Sequence, residues 1–170
     1  FAEKHNLIVF ADEMYEHFFF VYAVHVTALS VPSLKERCIV LSGFSKVFSI
    51  TGWRLGYAIA PVNVIEAMAQ LNDLIYVCAP APLQIGAAVG LESLGDGYYT
   101  ELARIHQHKR DLFCDALRDA GLTPSVPMGA YYVMTDVSSV AGNDDFEKAM
   151  NILEKTGVAS VPGRAFYHDD

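Results

Sequence analysis

The sequence predicts an α/β fold, on three observations: short apolar runs rich in β-formers that stop on polar residues, long helical patterns after them, and a change of texture past the middle of the chain. The first run, Leu7 to Ala11, is continuous and stops at Asp12-Glu13, the pattern of a strand buried on both faces of a parallel sheet. A second, Cys38 to Leu41, ends at Ser42-Gly43. A third, Leu55 to Ala60, follows Gly52-Trp53-Arg54 and ends at Pro61. In open α/β sheets, ligands sit at such strand ends.

From Val62 the apolar residues take helical spacing, with Val64, Ile65, Met68, Leu71 and Leu74-Ile75 forming one stripe. Pro80 and Pro82 then predict an extended segment, because proline lacks the N–H a helix needs. An Ala- and Gly-rich helix is expected over 83–94, and its small residues allow close packing. After the break at Gly95-Asp96-Gly97 comes the longest helical pattern, 98–120, stopped by Gly121. Strands are expected at Leu122-Thr123, at 131–134 and at 158–161. Between the last two lies a helix over 144–156, capped by Asn143 or Asp144 and closed by Gly157. The glycine break marks a domain boundary, with a smaller α+β unit after it.

Composition narrows the function. The 170 residues are 52% hydrophobic and 19% charged, enough apolar material for a core. Their length fits one domain or parts of two. A net charge of −8 argues against a nucleic-acid partner, which needs a basic face. No apolar run approaches the roughly 18 residues of a membrane span. Cys38, Cys78 and Cys114 contain no C-x-x-C pair, so neither a zinc site nor a disulfide framework is indicated, and a cytoplasmic protein is expected. His106 and His108, two apart on a helix, face different ways and make a poor metal pair. His5, His17, His25 and His168 have no ligand-like spacing either. The chain opens at Phe1 without Met or a signal peptide, on residues that read as the end of a helix, so a segment of a longer protein is expected.

Two strand ends gather chemically useful groups: Asp12-Glu13-Met14-Tyr15, and Gly43-Phe44-Ser45-Lys46 continuing to Arg54-Leu55-Gly56. A carboxylate, a phenol, a lysine and an arginine are thereby expected at one sheet edge. A lysine amine can attack a carbonyl and form a Schiff base, and a guanidinium fork suits a phosphate.

These motifs resemble those of the class I/II aminotransferases, the fold type I family that uses pyridoxal 5′-phosphate. That family's lysine signature is filled here by Gly43-Phe44-Ser45-Lys46 and, after seven intervening residues, Arg54-Leu55-Gly56. The D-E-x-Y motif, Cys78 to Gln84, Pro127 to Tyr132 and Val161 to Phe166 also read like that family. The resemblance implies that residues 1–95 are the later part of a large cofactor-binding domain built on a mostly parallel sheet, and 96–170 most of a small C-terminal domain. It implies that Lys46 holds the cofactor and moves the substrate proton, Asp12 pairs with the pyridine nitrogen in low-dielectric surroundings, Tyr15 donates to the phenolic oxygen, and Arg54 binds the phosphate. Relatives often carry Ser where this chain has Gly43, which leaves Ser42 and Ser45 as alternative phosphate contacts. A further departure is Val21 to His25, where relatives commonly have a Gly-containing loop.

The implied activity is transfer of an amino group from an amino acid to a 2-oxo acid. A carbon–sulfur β-lyase on the same fold and the effector domain of a transcription regulator are the alternatives. A homodimer is implied, with 78–84 at the subunit contact. Tyr76-Val77-Cys78-Ala79 lacks the arginine that dicarboxylate-specific relatives place there. Further site residues are expected before Phe1 and after Asp170, so these 170 residues are not expected to transaminate by themselves.

Overall fold

The computed structural model describes residues 1–20 and 23–167. Val21, Tyr22 and His168, on which part of the sequence reading falls, lie outside them. The residues group into two compact units, 1–107 with 128–130, and 108–127 with 131–170.

The first unit is organised by β2 (Cys38–Gly43), the middle strand of a three-stranded sheet. β1 (Val9–Asp12) pairs with it in parallel and β3 (Gly56–Ile59) antiparallel. As the central strand β2 is buried at every position but Leu41, and Cys38, Ile39 and Val40 join Phe18, Phe20, Val47, Leu55 and Ala87 in the core. Burying each of the two phenylalanines contributes about 2–3 kcal/mol. Within this chain the first strand is not buried on both faces: among the described residues β1 pairs with β2 alone, and its side chains alternate between half-buried and exposed, with Phe10 69% exposed. Leu7 and Ile8 precede the strand instead of starting it.

Between β2 and β3 the chain makes one short helix, α1 (Phe44–Val47), and a 3-10 turn at Thr51–Trp53. The phenol of Tyr98 donates to the Val47 carbonyl at 2.6 Å, giving one of the otherwise unpartnered helix-end carbonyls a donor. α2 (Val62–Ile75) matches the helical stripe. α3 (Ala81–Ser93) starts earlier than expected: Pro82 falls in its first turn, where a missing N–H costs nothing. The small residues of α3 do pack closely. A Cβ on Gly86 would lie 3.0 Å from Trp53 and one on Gly90 3.1 Å from Phe48, so this helix seats the whole α1–β3 connection.

α4 (Asp96–Asp119) begins at the glycine break, and the division between the two units falls within it. In the second unit, β4 (Thr123–Ser125) pairs antiparallel with β5 (Met134–Asp136). β5 starts later than expected, because Gly129 is drawn into a bridge with Phe19 and Ala130 adopts a left-handed φ of 59°, so Tyr131-Tyr132 leave in a bend. α5 (Asp145–Thr156) is capped as expected. The Asp144 carboxylate accepts from the Glu147 N–H at 2.8 Å, and Gly157 takes the left-handed φ of 71°. The strand expected at 158–161 is absent: no ladder forms along it among the described residues, and a 3-10 turn follows at Gly163–Phe166. That turn is tied back to α5 by Arg164, which pairs with Asp144 and Asp145.

Removing the α5 cap with Asp144→Ala is expected to lower the melting temperature, with Asp144→Asn recovering most of the loss. An unchanged melting temperature in the alanine variant would contradict the capping role.

Candidate functional site

Strand register decides what comes together. Asp12, the last residue of β1, lies opposite Leu41 of β2, and Gly43, the last residue of β2, lies opposite Gly56, the first of β3. The chain therefore leaves β1 toward Tyr15, leaves β2 toward Lys46 and enters β3 from Arg54, all at the same end of the sheet. The close approach of the Gly43–Gly56 rung is possible only without a side chain. A Cβ on Gly43 would sit 2.8 Å from the Leu55 carbonyl oxygen and 2.9 Å from the Gly56 Cα.

Each expected residue has a distinct setting. Asp12 is exposed and accepts from the Met14 N–H at 3.1 Å, closing the turn after β1. Burial alternates here along the chain, with Asp12 exposed and the residue after it buried. Tyr15 is half-buried in that turn, with its ring edge-on to Phe18 at 5.7 Å. Lys46 is half-buried in α1. Arg54 has a left-handed φ of 57° and donates to the Thr51 carbonyl at 2.8 Å, which folds its side chain against its own loop.

The buried carboxylate is Glu13, 7% exposed, which the sequence reading did not single out. It accepts from the Ala28 N–H (2.8 Å), the Thr27 hydroxyl (3.1 Å) and His25 Nε2 (2.9 Å). Burial pulls its carboxyl pKa upward, but the Ala28 N–H and the hydrogen bonds and charge of His25 and Thr27 outweigh this and hold it below its ordinary value. One signal could have pointed to it: a Glu directly after an apolar strand is not buried without partners. Nearby, Glu16 accepts from Ser42 and Tyr57, each at 2.9 Å. Burial raises the Tyr57 phenol, and the charges of Glu16 and Glu13 add to this.

Glu13, Glu16 and His25 present ligand-type atoms within 4.8 Å of one another. Their oxygens already serve five protein donors, so the group works as an internal anchor. The Ser42 hydroxyl is likewise committed, to Glu16 and the Glu13 carbonyl. Of the two alternative serines, that leaves Ser45, buried beside Lys46. An amine, a guanidinium, a carboxylate, a phenol and a hydroxyl at one sheet end fit a phosphate-bearing pyridine aldehyde in donor chemistry. A separate hollow of about 710 Å³ is lined by His17, Phe19, Leu91, Tyr99 and Arg104 among others. None of the four expected residues lines it, so register, not cavity shape, singles out the strand ends. Among the described residues no helix is long and apolar enough to cross a membrane.

Because Glu13 is held below its ordinary value of 4.5, its stabilisation is fully present above that pH and is lost as the pH falls through the lower folded value. Glu13→Gln is expected to lose about 2–4 kcal/mol near neutrality and to flatten the fall of melting temperature below about pH 4.5. An acid limb as steep as that of the unsubstituted protein would contradict this.

The family model for aminotransferase class I and II matches residues 1–169. Among curated relatives, a kynurenine–oxoglutarate transaminase of Dictyostelium discoideum is 35% identical over 182 residues, covering 97% of this chain and 42% of the relative. A methionine aminotransferase of Escherichia coli is 30% identical, over 97% of this chain and 42% of that protein. The solved structure of an aromatic aminotransferase from Pyrococcus horikoshii superposes with a TM-score of 0.89 at 33% identity, over 97% of this chain and 44% of that one. The chain thus spans less than half the length of these proteins. With its three-stranded sheet and the lysine signature between β2 and β3, it belongs to the class I and II aminotransferase family.

Proposed function

We propose that the protein carrying this chain is a pyridoxal 5′-phosphate-dependent aminotransferase, moving an amino group from an amino acid to a 2-oxo acid, and that this chain supplies the lysine half of its site. The observation that carries the reading is the register that sends Asp12, Lys46 and Arg54 off the same end of one sheet. When bound, the cofactor supplies the electron sink that makes the substrate Cα–H acidic. Of this chain's residues, Lys46 would hold the cofactor and its amine would move the Cα proton as a general base and acid. Asp12 would pair with the ring nitrogen and keep it protonated. Tyr15 would donate to the ring's phenolic oxygen. Arg54 would bind the phosphate as a fork, with Ser45 as the nearby hydroxyl.

The domain division accompanies this reading, with the large domain ending at Gly95 and the small one beginning at Asp96. So does a homodimer: Leu74, Ile75, Tyr76, Val77 and Ile85, which flank residues 78–84 assigned to the subunit contact, are more than half exposed. The relatives' names span kynurenine and methionine, and the substrate is accordingly proposed as a class.

In the whole protein, Lys46→Ala is expected to abolish the visible absorbance of lysine-bound cofactor and to lower turnover by more than about 10²-fold. Persistence of the band would refute the assignment of Lys46.

A further inference from the structure

We propose that Glu16 is a positioning residue for the cofactor site, a carboxylate that ties all three strand-end segments in register; the proposal rests on the cofactor reading above. Glu16 lies one residue past Tyr15, in the turn that follows β1. A single oxygen, Oε1, accepts from Ser42 on β2 and from Tyr57 on β3, both at 2.9 Å. Those two donors are not an arbitrary pair. Ser42 and Tyr57 face each other across β2 and β3, one rung before Gly43–Gly56. The chain departs from that last rung to Lys46 in one direction and arrives from Arg54 in the other. Glu16 therefore joins the turn bearing Asp12 and Tyr15 to the strand leading to Lys46 and to the strand leading from Arg54.

Chemistry favours a carboxylate here. Two hydroxyl donors need an acceptor with two lone pairs on one atom and no proton of its own, and charge assistance strengthens both bonds. Ser42 is 4% exposed, so its hydroxyl has little water to fall back on if the acceptor goes. Glu13 anchors the same turn from its other side, to Thr27 and Ala28, and fixes where the turn sits. Glu16 fixes how it meets the lysine and arginine strands. Its effect passes through the geometry of Tyr15, Lys46 and Arg54.

The test is reconstitution of the whole apo-protein with pyridoxal 5′-phosphate, reading the dissociation constant from the visible absorbance and the melting temperature of the apo form. Glu16→Ala is expected to weaken cofactor binding about ten- to hundredfold. Glu16→Gln, which keeps a carbonyl acceptor for both hydroxyls, is expected to recover most of that loss. If Glu16→Ala does not fold, the Ser42→Ala/Tyr57→Phe double variant removes both donors instead and carries the same expectation. Unchanged cofactor affinity in the alanine or double variant, or a Gln variant as weak as Ala, would overturn the positioning role. Absence of cofactor binding by the unsubstituted protein, or an unaltered band in Lys46→Ala, would instead overturn the cofactor reading on which it rests.

Discussion

The arrangement depends on the closing rung of the β2–β3 ladder, where Gly43 lies too close to the β3 backbone at Leu55 and Gly56 to carry a side chain. A Cβ there would meet backbone, which cannot move aside as a flexible side chain can. This contact fixes where β2 ends and β3 begins, and with them the loop that contains Lys46 and Arg54. α3 reinforces it from behind by admitting Phe48 and Trp53 against its own glycines. Small residues on two elements thus hold a connection whose own regular structure is a four-residue helix and a 3-10 turn.

Electrostatics completes what packing begins. The turn after β1 carries three carboxylates with three different tasks. Asp12 faces outward and closes its own turn, Glu13 is buried among donors, and Glu16 bridges two hydroxyls on neighbouring strands. A buried carboxylate is costly unless its oxygens are satisfied, and Glu13 has three donors that meet that cost. These bonds hold the turn that carries Tyr15, the residue proposed to donate to the cofactor.

Much of this was legible in the residues. The β2 run, the α2 stripe, and the Asp144 and Gly157 ends of α5 follow from local rules that tertiary structure did not override. The lysine signature placed Lys46 and Arg54 on one connection. What the sequence hid were consequences of pairing. β1 has one face exposed in this chain, Phe10 included, which a continuous apolar run does not reveal. Val158 to Val161 has strand composition but finds no ladder partner among the described residues. Pro82 looked like a helix stop and serves as a helix start, since only position within the first turn separates the two roles. The Glu13 and Glu16 networks join residues twelve to forty-one positions apart, which no local pattern encodes.

The cofactor is proposed to be carried by Lys46, which the β2–β3 register presents. Borohydride reduction of the whole protein loaded with pyridoxal 5′-phosphate, followed by peptide mapping, tests this. A single stable pyridoxyl adduct is expected on the peptide containing Lys46. An adduct confined to another lysine, or none on a protein that retains the cofactor's visible absorbance, would contradict it.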